Sequence, residues 1–247
     1  MTQLTVFLRK EVLGGWRNKK IIICGVIFLM VGMLSPFLAK IMPDIFSSMV
    51  TDGIQITVST PTSVDSWMQF YGNIGSLGLL VFVILFADTI CAEIEQGTLI
   101  NLITKGLPRQ TILLAKTLYL YFLWTLFYAA AFLICLLYTR IYFNDSLTHH
   151  LISAGFSYWL FGLLSSAFAK NVYQVLLFLA AFYGIGVLGS LFESLQKINP
   201  YSLSSQTIAY IQGNSELMDF LPAVLIAVVG SFLSLIISRS IFQKRKL

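Results

Sequence analysis

Residues 21–39 read Ile21-Ile22-Ile23-Cys24-Gly25-Val26-Ile27-Phe28-Leu29-Met30-Val31-Gly32-Met33-Leu34-Ser35-Pro36-Phe37-Leu38-Ala39, a run without one Asp, Glu, Lys or Arg. A helix rises about 1.5 Å per residue, so roughly 20 apolar residues cross a hydrocarbon core of about 30 Å. This run meets that length. Working outward, five more stretches meet or nearly meet it: residues 74–92, 117–138, 151–169, 172–192 and 220–237. Of the six, only the second contains an ionisable Asp, Glu, Lys or Arg, namely Asp88. A charge at the bilayer centre costs about 3 kcal/mol or more, so this depletion is what spanning helices require. The expectation is an all-α integral membrane protein of six transmembrane helices, forming one transmembrane domain over residues 1–247.

Composition excludes the other broad classes. Charged residues make up 11% of the chain and apolar types 57%, against about 25% charged in an ordinary globular domain. Too few charges remain to cover a water-facing surface. A disordered chain needs low hydrophobicity, and a disulfide-stapled secreted domain needs many cysteines. Cys24, Cys91 and Cys135 lie in or beside apolar runs without metal-ligand spacing, which makes them small hydrophobic residues. The net charge of +5 gathers near the chain ends rather than along one nucleic-acid-binding face. A long basic lead and the lack of a small-x-small site argue that the first run is retained, not cleaved as a signal peptide.

Orientation follows from Lys and Arg. With the N-terminus in the cytoplasm, only Lys40, Arg140 and Lys197 fall outside, and every other Lys and Arg of the 16 falls inside. Both termini are therefore expected to be cytoplasmic, with longer outer connections over residues 40–73 and 193–219. Residues 51–62 read equally as a short extended segment or a loop. Ahead of the first span, residues 3–18 carry Leu4, Leu8, Val12 and Trp16 at intervals of four, with Phe7 beside them and Arg9, Lys10 and Arg17 interleaved. That pattern predicts an interfacial helix, with its apolar face in the acyl boundary and its cations at anionic headgroups.

The most informative stretch lies on the cytoplasmic side between spans two and three: Glu93-Ile94-Glu95-Gln96-Gly97-Thr98-Leu99-Ile100-Asn101-Leu102-Ile103-Thr104-Lys105-Gly106-Leu107-Pro108-Arg109. Gly97 ends the incoming helix, Thr98 caps a new one, and Gly106 with Pro108 stops it. Leu99, Leu102 and Ile103 share one side of the resulting two turns. So short a helix buries too little apolar surface to exist alone. Its ridge suits either a groove on a cytosolic partner or the headgroup layer.

The run Glu93-x-Glu95-x-Gly97-Thr98-Leu99, followed by Arg109 and then Leu113-Leu114-Ala115-Lys116, resembles the signature of ABC transporter permeases of the type-2 exporter class. Ser165-Ser166 before the fifth span, and Asn199-Pro200-Tyr201 running to Gly213 before the sixth, are similar features. The resemblance implies that Glu93, Glu95, Gly97, Thr98, Leu99, Leu102, Ile103 and Arg109 form a coupling helix. Its partner would be a cytosolic ABC ATPase in two copies, and a second permease copy or a paralogue would complete the path. It also implies outer reentrant helices over Asn199, Pro200, Tyr201 and Gly213, and export of an amphiphilic peptide, lipid or drug across the plasma membrane. The chain departs from the family pattern at Gly106, where proline is common, and in lacking a basic residue before Gly213.

No G-x-x-x-x-G-K-[ST] loop occurs, so ATP and Mg would be bound by the partner, with no cofactor on this chain and no enzymatic activity of its own. The G-x-G-x-x-G match from Gly184 to Gly189 lies within an apolar run and follows no strand, which suits helix packing rather than a dinucleotide. Asp88 has two readings: a structural partner for Lys116 or Arg109 near the inner surface, or a transport residue. The latter would fit a gradient-driven transporter or channel, while a non-transporting anchor or sensor is a further alternative. His149 and His150 are adjacent and lack co-ligands, so no metal site is expected.

Overall fold

The structure is a computed structural model that describes residues 3–49, 60–86 and 108–143, together with Pro222, Leu225 and Val229. Among the described residues the regular structure is entirely helical. Helix α1 (Gln3–Arg17) precedes α2 (Lys20–Met49), and α3 (Ser63–Asn73) runs through a π-helical turn (Ile74–Gly78) into α4 (Leu79–Phe86). Helix α5 (Arg109–Tyr142) follows. Three segments have the length and composition to cross a bilayer: Lys20–Ile45, Ser63–Phe86 and Leu114–Tyr142. The chain is a multi-pass membrane protein. The expected fourth to sixth spans fall outside the described residues, apart from three helical positions in the sixth: Pro222, Leu225 and Val229.

The first three spans are present as helices, but they are longer than hydropathy alone indicates. Helix α2 continues past Ala39, through Pro36 and Pro43, to Met49. The helix carrying the second span starts at Ser63, where hydropathy places the start at Ile74. Asp65, Gln69 and Asn73 interrupt the apolar run there, yet Trp67, Phe70 and Tyr71 are buried on the inward side of the same turns. A helix with one polar face looks non-spanning to a running average. Its start is set by Thr62 and Asp65: the Thr62 backbone N–H donates to Asp65 Oδ2 at 2.8 Å, half of a capping box. Likewise α5 extends beyond residues 117–138 at both ends, beginning directly after Pro108, which stands at the N-cap in an extended conformation. Thr60, Pro61 and Thr62 are non-helical and form no strand.

Aromatic rings fill the space between the three spans. Trp124 of α5 meets Phe28 of α2 edge-on at 5.7 Å and Phe82 of α4 at 5.3 Å, while Trp67 of α3 lies 4.9 Å from Phe132 of α5. Edge-to-face and offset pairs of this kind add about 0.5–1.5 kcal/mol each beyond area burial. One crossing is closer than side chains allow. At Gly32 an added Cβ would sit 2.6 Å from the Ala131 carbonyl oxygen, so α2 and α5 meet backbone to backbone. Small residues at the crossing are how membrane helices gain contact without a hydrophobic driving force. Cys24 and Cys135 are free, buried thiols in this packing, and Cys91 lies outside the described residues.

Polar groups tie the spans together in the halves away from α1. Ser66 Oγ and Thr139 Oγ1 are 2.7 Å apart between α3 and α5. Asn73 Nδ2 donates to Ser35 Oγ at 3.1 Å, and Ser35 Oγ donates to the Val31 carbonyl at 2.7 Å. This bridge lies immediately before the π turn and beside Pro36, whose missing N–H deprives the Gly32 carbonyl of its helical donor.

Candidate functional site

Helix α1 has one acidic residue, Glu11, in a segment otherwise rich in cations. The inward face of α1 is Phe7, Glu11 and Gly15, at i, i+4 and i+8, with Leu4 and Leu8 half-buried beside them. Sequence periodicity assigned Leu4, Leu8, Val12 and Trp16 to the acyl boundary; Trp16 is 59% and Val12 40% exposed, while the face that packs on α5 is a different one. On the outward face Val6, Val12, Leu13 and Trp16 are exposed, with Arg9 and Arg17 exposed among them.

Against that inward face stands Lys116, fully buried in the second turn of α5. Its Nζ is 3.2 Å from Glu11 Oε1 and 6.0 Å from the centre of the Phe7 ring. Lys10 also approaches Glu11, at 3.8 Å, and stacks over Phe7 at 4.8 Å, but from an exposed position. Removing one partner of a buried ion pair costs about 3–5 kcal/mol, because the other charge is left uncompensated. Among the described residues, Glu11 Oε1 and the neighbouring Tyr119 hydroxyl have no hydrogen-bond partner. One turn along α1, a Cβ at Gly15 would overlap the Tyr119 hydroxyl, so glycine is what lets α1 lie this close to α5.

The link between α1 and α2 is equally short. Asn18 and Lys19 turn the chain, the Asn18 N–H donating to the Gly14 carbonyl at 3.0 Å. Lys19 takes a left-handed φ of 58°, a position that favours glycine. Although α1 is joined covalently to α2, its more extensive packing is with α5.

The structure thus draws together Phe7, Glu11, Gly15, Lys116 and Tyr119, of which only Lys116 belonged to the sequence motif. Sequence reasoning offered Lys116 or Arg109 as a partner for Asp88, which lies outside the described residues; among the described residues Lys116 pairs with Glu11. Two signals mark this pair: a sole acid in a basic amphipathic helix, and a lysine set inside an apolar run. Arg109 is the first residue of α5. Asp88, Glu93, Glu95, Gly97, Thr98, Leu99, Leu102 and Ile103 lie outside the described residues, as do Ser165, Ser166, Asn199, Pro200, Tyr201, Gly213, His149 and His150. Among the described residues no three His, Cys, Asp or Glu side chains gather as metal ligands.

No protein-family model matches the chain, and no solved structure matches it. Among curated proteins it is similar to the uncharacterized transmembrane protein YxlG of Bacillus subtilis (strain 168), at 23% identity over 191 residues. That alignment covers 76% of this chain and 74% of the relative. The similarity agrees with the membrane-spanning architecture.

Proposed function

We propose that the chain is the membrane-spanning permease subunit of an ATP-driven ABC exporter, with six spans, both termini cytoplasmic, in the plasma membrane. The observation that supports this reading best is the anchoring of α1 to the inner end of α5 through Glu11 and Lys116. Helix α5 begins directly after Pro108, where the segment carrying Glu93, Glu95, Gly97, Thr98, Leu99, Leu102, Ile103 and Arg109 ends. In this reading that segment is the coupling helix in a groove of a cytosolic ATPase, which binds ATP and Mg. Closure of two ATPase subunits pushes on residues 98–104. A rigid α5 then carries the displacement to the interface with a second permease copy or paralogue.

The outer reentrant role of Asn199, Pro200, Tyr201 and Gly213, and an amphiphilic peptide, lipid or drug as cargo, belong to the same proposal. Purification of the tagged full chain from its native membrane in mild detergent tests it. A stoichiometric cytosolic protein with a phosphate-binding loop, lost in Leu102→Asp, is the expected result. Recovery of folded protein without an ATPase would overturn it in favour of a gradient-driven transporter, with Asp88 as the first residue to examine.

A further inference from the structure

Three observations at the inner end of α5 bear on how α1 takes part in any movement of the spans. The first is the buried charge pair. Lys116 is 1% exposed and Glu11 9%, and Nζ lies 3.2 Å from Oε1, so neither charge has bulk water to fall back on if the two separate. The second is the close seat beside it, where Gly15 leaves no room for even a methyl group against Tyr119. The third is that, among the described residues, the buried Glu11 Oε1 and Tyr119 hydroxyl have no hydrogen-bond partner. A buried polar group left unsatisfied in a native structure calls for a physical reason. A seat held by charge and shape fixes the position of α1 on α5.

We propose that Glu11 and Lys116 are a positioning pair that makes α1 travel with the inner end of α5 as one body. This rests on the permease reading and adds to it the residues that carry displacement beyond the 93–109 segment. The opposite face of α1 is exposed and mixes Val6, Val12, Leu13 and Trp16 with Arg9 and Arg17. A push on α5 therefore drags an interfacial helix along, and the resistance of the headgroup layer bears on the ATPase side of the cycle. The turn at Asn18 and Lys19 is where α1 changes angle relative to α2.

The test uses the full chain with its co-purified ATPase in lipid nanodiscs, in a cysteine-free background, with spin labels introduced by Val12→Cys and Leu126→Cys. Both positions are exposed, one on each helix. Pulsed electron resonance gives the distance distribution without nucleotide and with ATP trapped by vanadate. One narrow distribution, the same in both states, is expected. Glu11→Gln or Lys116→Met should broaden it and lower ATP hydrolysis by the complex to the rate of the ATPase alone. The exchanged pair, Glu11→Lys with Lys116→Glu, should restore both.

A distance that changes between the two states of the parent protein overturns the proposal. So do single variants that leave the distribution and the hydrolysis rate unaltered. If the singles do not fold, the exchanged pair decides: a folded, narrow and active exchanged protein supports the pair, and a folded protein with a broad distribution sinks it. Absence of any ATPase defeats the permease reading itself, while the nucleotide-free distances in the parent and exchanged proteins still show whether the two charges hold α1 to α5.

Discussion

Among the described residues the buried hydroxyl of Tyr119 has no hydrogen-bond partner, and a methyl group at Gly15 would overlap it. Leaving such a group unpaired costs about 1–3 kcal/mol, and deleting it removes that cost. Tyr119→Phe is therefore expected to raise thermal stability in detergent or leave it unchanged. Gly15→Ala should lower it, by about 1–3 kcal/mol if α1 must shift. The double change Gly15→Ala with Tyr119→Phe should recover most of the loss, since the obstructing atom is gone. A melting series followed by size-exclusion fluorescence checks all three, and a double variant no better than Gly15→Ala alone would contradict this packing. Lys19→Gly should be neutral or stabilising at the same time, because Lys19 holds a left-handed φ of 58° that costs a side chain about 1–2 kcal/mol.

At the level of helices, two glycines of α2 that look alike in sequence behave differently. At Gly25 a Cβ meets only the Phe127 ring edge, at 3.4 Å, but at Gly32 it meets the Ala131 backbone oxygen at 2.6 Å. A ring can turn and a backbone cannot. Gly25→Ala should be tolerated, whereas Gly32→Ala should force α2 and α5 apart and reduce the yield of folded protein, without rescue by any substitution at residue 131. Comparing solubilised, monodisperse yield of the two variants separates the cases.

The helices show what hydropathy conveys and what it omits. The centres of the first three spans were legible because lipid excludes charge, which leaves a mark on every window. Their ends were not. Ser63 starts a helix eleven residues long in which polar side chains share turns with Trp67, Phe70 and Tyr71, and an average over both faces cancels. The packed face of α1 was not legible: periodicity marked Leu4, Leu8, Val12 and Trp16 for the acyl boundary, and the face that meets α5 is Phe7, Glu11 and Gly15. Lys116 stood in plain view in the Leu113-Leu114-Ala115-Lys116 motif, and Glu11 as the sole acid of a basic helix, but the two are distant in sequence and nothing local pairs them.

For the whole molecule, the asymmetry of charge sets which way the spans run. If both termini are cytoplasmic, Asp65 at the start of α3 faces outward and Arg17 at the end of α1 faces inward. In a cysteine-free background, Asp65→Cys should react with a membrane-impermeant maleimide in intact cells, and Arg17→Cys only after permeabilisation. The reverse pattern would invert the topology and remove the coupling segment from the cytoplasm. Both positions lie outside the tight seats described above, so labelling should not depend on unfolding.

The Glu11–Lys116 pair also bears on how the protein is made. The two residues stand 105 positions apart (116 − 11), so α1 leaves the ribosome long before the lysine that completes its seat. Until then α1 has the membrane surface as its resting place, which its exposed Val12, Leu13 and Trp16 suit. When the third span enters the bilayer its lysine arrives at the depth where an acid already waits, and the charge that would hinder insertion becomes the signal that the span has reached its stop. A nascent chain lacking Glu11 should accordingly place its third span more slowly, or too shallow, and glycosylation-site mapping of stalled intermediates would reveal the delay.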